Sequence, residues 1–420
     1  MKRIAGFVLA MVMGLYAWTA AAEITITHLT YTHHGDRYHA YLQEKAEEFE
    51  RLNPGIEVEI IIGLHDKFQA MLLGGVAPDV MDLPDFAYLG PLGQLVDVKP
   101  LLQRDGLLRA YNQAIIAGLT APNGAIYSVP FELGLFITFF NRDLFLQHGV
   151  PTPDRLGRDW NWDTVVESGK KLTRDLNGDG VPDIYGVDRP TGAGWRLSVI
   201  QNGGLFYVFD ELMRPVRSLW TTPEVVTAVE SYVRIFQEGI TQLYRVGDPA
   251  SYYFWTGKTA IDVQDGVGII GPYLENAPFD WDMALLPWGK LGPLSIGGGN
   301  GPHILAETKH LNETWEWVKF YATKKENVDQ WVRMTGRLPC LLSSLPAYPR
   351  ALGIMDKNYA AIFDQANYLA PPEALYPVSN ELNPRRISMD PVWRGTVAPI
   401  THLESIHRRV AAIIEDSLKQ

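Results

Sequence analysis

Ile24 to Leu29 alternates apolar and polar positions, the two-residue period of a strand with one buried face. Asp36 to Leu52 changes the period. Tyr38, Tyr41, Leu42, Phe49 and Leu52 fall on one side of a helix that Asn53-Pro54-Gly55 stops. Ile56, Val58, Ile60 and Ile62 restore the alternation, His65 to Leu73 reads as a short helix, and Pro78 to Leu83 reads as a third strand. Ile126 to Pro130 is a short strand-like run ended by proline, and Phe136 to Phe140 is a nearly continuous apolar run, as in a strand buried on both faces. Asn141-Arg142-Asp143 opens a helix that Gly149-Val150-Pro151 closes, and Trp162 to Thr173 predicts another. Pro223 to Glu238 reads as a helix, Lys258 to Gln264 as a strand, and Glu313 to Tyr321 and Asn327 to Met334 as helices. His402 to Leu418 sets Leu403, Ile406, Val410, Ile414 and Leu418 on one helical face. Strands alternating with helices predict an α/β fold with mostly parallel sheets and right-handed crossovers.

In such sheets ligands sit beyond the carboxyl ends of the strands. That rule selects three loops, Tyr31 to Asp36, Gly63 to Asp66 and Asp82 to Phe86, as walls of one crevice. His33, His34 and Asp82 are therefore candidate ligand contacts. Zinc is a poor fit for His28, His33, His34 and His39, because neighbours in an extended chain point to opposite sides and cannot converge on a tetrahedron.

The amino terminus adds a location. Met1-Lys2-Arg3 is basic, Ile4 to Trp18 is largely apolar, and Ala20-Ala21-Ala22 offers small residues for cleavage, so residues 1–22 read as a secretory signal and the mature chain as periplasmic. The only cysteine, Cys340, leaves no intrachain disulfide. A chain of 420 residues exceeds one ordinary core and predicts two domains. Its net charge of −11 disfavours nucleic acid and anionic membranes. Twelve tryptophans and nineteen tyrosines provide faces of the kind a pyranose ring needs, although most aromatics in any fold are core.

Other chemistry finds little purchase. Asp175 to Asp183 (DLNGDGVPD) places oxygens at alternate positions like a calcium loop, but position twelve is Gly186 where the bidentate glutamate belongs. Self-satisfied Asx turns are the plainer reading. There is no G-x-S-x-G elbow, and Gly297-Gly298-Gly299 lacks the Gly-Lys-Ser/Thr of a phosphate loop. Those glycines would instead let backbone approach a ligand, with Gly298 at their centre. Glu132 with a second carboxylate such as Asp82 could in principle form a glycosidase pair. No metal and no cofactor is implied.

Several blocks together resemble the family 1 extracellular solute-binding proteins of ABC importers. They are Ile126-Tyr127-Ser128-Val129-Pro130 followed by Asn141-Arg142-Asp143-Leu144-Phe145, the Asp175 to Gly186 loop, Asn53-Pro54-Gly55-Ile56, Pro78-Asp79-Val80, Phe254 to Ile261 (FWTGKTAI) and Gly336-Arg337-Leu338-Pro339. The resemblance implies a two-lobe periplasmic-binding-protein fold, type II-like, with crossover hinge segments. Lobe I would hold 23–134 with 286–340, and lobe II 135–285 with 341–420. It also implies a monomeric receptor, not an enzyme, that closes over a sugar, oligosaccharide or sugar alcohol and presents it to permease subunits at the inner membrane. Glu132, Asn300 and Arg337 would then offer hydrogen bonds near the crossovers, and the stacking platform would be Trp195 or, as second choice, Phe131. The family's aromatic after the Phe254 block is replaced by Gln264-Asp265-Gly266, which makes Asp265 a further candidate. The alternatives are a periplasmic carbohydrate-active enzyme, a sensor subunit, and a receptor for a phosphorylated polyol whose phosphate meets Arg337 or Arg196.

Overall fold

Strand β1 (Ile24–Tyr31) lies at the centre of the first sheet, and β2 (Ile56–Gly63) runs parallel to it with Ile24 opposite Ile56 and Tyr31 opposite Gly63. The computed structural model describes residues 24–83, 87–121, 123–188, 192–243, 254–274, 277–371, 378–379 and 381–419. The expected signal, residues 1–22, and Pro84 to Phe86 of the third expected loop lie outside the described residues. The third strand is shorter than its sequence suggests: β3 is Val80–Met81, parallel to β1. The order is β12-β3-β1-β2, where β12 (His303–Ile304) returns antiparallel from late in the chain.

The second sheet has the order β10-β5-β9-β6, built from Trp281–Ala284, Thr138–Asn141, Thr259–Asp262 and Tyr185–Val187. Here the expectation of mostly parallel pairing fails. Only β6 and β9 are parallel, while β5 pairs antiparallel with both β9 and β10. The reason is the chain path: β5 enters this half of the molecule from the first and β10 leaves it, so the two must run in opposite directions. Ile126 to Pro130 is likewise not a strand, and only Ile126 forms a bridge, to Thr120.

Helix Asp36–Leu52 buries Tyr38, Tyr41, Leu42, Ala46 and Phe49 as its periodicity requires. It joins helices Leu311–Ala322 and Lys325–Thr335 in one core, which also takes in Phe139, Trp281 and Met283 from the second sheet. Phe140, Val187 and Ile261, from the other face of that sheet, belong to a second core with helices Trp162–Leu172 and Gly194–Gln201. The carboxyl-terminal helix Pro399–Leu418 docks there through Leu403, Ile406, Val410 and Ile414, while Leu418 stays exposed. Among the described residues no helix is long and apolar enough to cross a membrane.

Candidate ligand-binding site

A cavity of about 1360 Å³ is lined by loops of the first sheet, the crossover segments and helix Gly194–Gln201 of the second half. Its wall is set by a seven-residue alternation. In Phe131 to Ile137 (FELGLFI), Phe131, Leu133, Leu135 and Ile137 are buried, whereas Glu132, Gly134 and Phe136 are half-buried and line the cavity. β4 (Glu132–Leu133) then pairs antiparallel with β11 (Gly299–Asn300), bringing Asn300 opposite Glu132. The two crossovers touch backbone to backbone. A Cβ at Gly297 would sit 2.1 Å from the Gly134 carbonyl oxygen, and one at Gly301 1.8 Å from that of Val129. The Gly134 N–H donates to the Gly298 carbonyl at 3.0 Å. Gly298 lines the cavity through this close approach.

Arg337 crosses the floor. Its guanidinium donates to Glu132 Oε2 at 2.6 Å and to the His34 carbonyl at 3.1 Å, so it ties the crossover to the first loop. His34 lines the cavity with Nδ1 3.7 Å from Asp82 Oδ1. Burial, outweighing the pull of Asp82, lowers the His34 pKa and keeps the ring neutral at pH 7. The 3₁₀ turn Thr32–His34 separates the histidine pair: His33 is exposed against Tyr31 and takes no part in the cavity wall.

Asp82 occupies the carboxyl end of β3 and is almost fully saturated. It accepts from Tyr31 N–H and Thr30 Oγ1 at 3.0 Å each and from the Tyr38 hydroxyl at 2.8 Å. The Trp317 indole N–H donates to His28 Nδ1 at 3.3 Å. That contact leaves the proton of a neutral His28 on Nε2, 3.5 Å from Asp82 Oδ2. Burial alone would raise the Asp82 carboxyl, but His28, His34 and Tyr38 together hold it down at about 2. Asp82 is thus an anchor that fixes His34 and Tyr38, with little lone-pair capacity left for a ligand.

Besides His33, three expected contacts are corrected. Trp195 is only 3% exposed and packs against Phe206, Trp220 and Trp393 at ring distances of 5.5–6.3 Å, beneath the cavity wall. Phe131 is 2% exposed and packs on Trp331 at 4.3 Å, because its position in the alternation faces the core. Asp265 is folded back by the turn after β9. Its N–H donates to Asp262 Oδ1 at 3.1 Å, and its carboxylate gathers with those of Asp188 and Asp262. Of the aromatic residues that line the cavity, Phe136 and the exposed Tyr88 offer the most accessible faces, whereas Tyr127, Phe206 and Tyr348 are buried. Phe136 was readable from the alternation; Tyr88 carried no sequence signal.

The carboxylate group behind the wall has its own consequence. Burial, and then the charges of Asp265 and Asp188, raise the Asp262 pKa well above the ordinary value of 3.8. A raised folded value means stability that is complete below pH 3.8 and lost as pH climbs through the folded value. Asp262→Asn, which removes the titration, is therefore expected to raise the melting temperature at pH 7 and to have little effect near pH 4. A lower melting temperature at pH 7 would contradict this. In the Asp175 to Asp183 loop the oxygens serve their own backbone, with Asp175 accepting from Gly178 N–H at 2.7 Å and Gly180 N–H at 2.8 Å.

Fold and cavity together match a two-lobe binding protein with a cavity between two α/β halves. Residues 35–328 match the bacterial extracellular solute-binding protein family, and the chain belongs to it. Membership places its work outside the cytoplasm. No curated protein matches the chain by sequence. Solved structures share the fold. The sugar-binding protein MalE from Xanthomonas citri is 18% identical with TM-score 0.77, over 94% of this chain and 98% of that one. A cyclic alpha-maltosyl-1,6-maltose binding protein from Arthrobacter globiformis is 19% identical with TM-score 0.72, over 94% and 99%. An ABC substrate-binding protein from Listeria monocytogenes in complex with cycloalternan is 22% identical with TM-score 0.69, over 94% and 99%. The family and these neighbours are binding proteins.

Proposed function

We propose that the protein is a periplasmic receptor that binds a saccharide in this cavity and delivers it to the permease of an ABC importer. The observation that carries the reading is a cavity of about 1360 Å³ with apolar ring faces, Phe136 and Tyr88, beside the hydrogen-bonding groups of Glu132, Arg337, Asn300 and His34. Aromatic faces take the C–H side of a sugar and the polar groups take its hydroxyls. The volume exceeds the roughly 300–1,000 Å³ of most small-molecule sites and suits an oligosaccharide better than a single ring. The neighbouring structures named above bind sugars, which favours the same class here.

The signal at residues 1–22 exports the chain, and the mature protein acts as a monomer. Ligand contacts from both halves stabilise a closed form about the crossovers at Val129-Pro130 and Pro287-Trp288, and only that form suits the permease. Catalysis is disfavoured by the same geometry. A general acid needs a raised pKa, whereas Asp82 sits at about 2 and Glu132 is held by Arg337. A thermal-shift panel of sugars, polyols and amino acids tests the proposal, since a ligand of the folded state raises the melting temperature. An oligosaccharide is expected to give the largest rise and to be recovered intact by chromatography. A response confined to amino acids, or cleavage of the sugar, would overturn it.

A further inference from the structure

The cavity is unevenly charged. At the crossover end Arg337 is matched by Glu132. Elsewhere in the wall Arg196, Arg385 and Arg386 line the cavity, and among the described residues no carboxylate pairs with any of them. Arg214 in the same wall is already neutralised by Asp210 at 2.8 Å. Arg196 comes from the first turn of helix Gly194–Gln201, and its Nε is buried without a hydrogen-bond partner. Burial first, and then the charge of Arg385, pull its pKa down to about 10.

Grouping like charges around a buried, unsatisfied N–H is costly, and no carboxylate among the described residues compensates it although the chain carries a net charge of −11. Sugar hydroxyls would satisfy the N–H but not the charge. An anionic oxygen group would do both, and the planar guanidinium fork fits it in two-point contact.

We propose that the Arg196–Arg385–Arg386 wall is an anion subsite, which takes a carboxylate, sulfate or phosphate carried by the bound saccharide. This rests on the receptor reading above and narrows its substrate to acidic glycans: uronic acid oligomers, or sugar sulfate or phosphate esters. The anionic group of the ligand would meet this wall, and its neutral rings the Glu132–Arg337 pair in the same cavity. Arg385 and Arg386 are exposed at the cavity rim and would meet the anion first, while Arg196 holds it at depth.

Titration calorimetry on the mature chain with matched pairs tests the subsite. Trigalacturonate against its methyl ester probes a carboxylate; a sulfated trisaccharide and a phosphorylated one, each against its unmodified parent, probe the esters. In at least one pair the acid should bind roughly ten- to a hundredfold more tightly than its neutral partner. Added salt should shrink that advantage. Arg196→Gln and Arg385→Gln should each bring the acid toward its neutral partner. Arg385 is exposed, so its variant reports on binding even if the deeper change disturbs folding. Neutral sugars that bind as well as every acid, or a preference that survives both substitutions, would overturn the subsite and leave the receptor reading standing. No binding by any saccharide, charged or neutral, would overturn both.

Discussion

Asp82→Ala is expected to lower the unfolding free energy by about 3–5 kcal/mol at pH 7, the usual cost of deleting one partner from a buried charged network. Thr30 Oγ1, Tyr31 N–H and Tyr38 hydroxyl would all lose their acceptor in a site with almost no access to water. The pH dependence carries a second signature. The folded carboxyl titrates at about 2 and the unfolded one at 3.8, so the contribution is present above pH 3.8 and disappears as pH falls toward 2. Urea unfolding of the wild type and the variant between pH 7 and pH 2.5 should show their stabilities converging on acidification. A constant gap, or a loss below about 1 kcal/mol at pH 7, would mean that Asp82 is not the anchor its contacts describe. Ligand affinity should fall as well, because His34 and Tyr38 lose their support rather than because a sugar hydroxyl loses its acceptor.

The second large effect belongs to Trp195. Truncation to alanine opens a cavity among Phe206, Trp220 and Trp393 and should cost about 3–5 kcal/mol, as large aromatic deletions in cores do. Saccharide affinity of the folded variant should stay within a few-fold of the wild type. The opposite pattern, an unchanged melting temperature with binding lost, would restore Trp195 as a stacking face. Measuring both quantities on one preparation separates the two roles.

These expectations also mark where sequence reasoning succeeded. The bounds of helix Asp36–Leu52 and strand Ile56–Gly63 fall within a residue of those their periodicities predict, since each depends on local pattern alone, although Leu52 and Ile62 at the ends of the expected apolar faces are exposed. The carboxyl-end rule brought His34 and Asp82 to the cavity from topology, although it could not separate His34 from His33 across a 3₁₀ turn. Trp195 was misplaced because its environment is made by Trp220 and Trp393, which are distant in sequence and reach it only through tertiary packing. Phe131 was a different kind of miss. The alternation of Phe131 to Ile137 turns it inward and Phe136 outward, and reading only the apolar run from Phe136 concealed that. The arginine wall was not legible as a group. Arg196 lies in a helix and Arg385-Arg386 in an irregular segment almost two hundred residues later, and no period or motif connects them.

One saccharide is expected to bind between the two halves, held by the Glu132–Arg337 floor. The most direct test is calorimetry of the mature protein with the best saccharide from the thermal panel, repeated on Glu132→Ala. The wild type should show one site per chain, and the variant an affinity on the order of tenfold or more weaker, the loss of at least one charge-assisted hydrogen bond. Wild-type affinity in Glu132→Ala, or no heat from any saccharide, would contradict this.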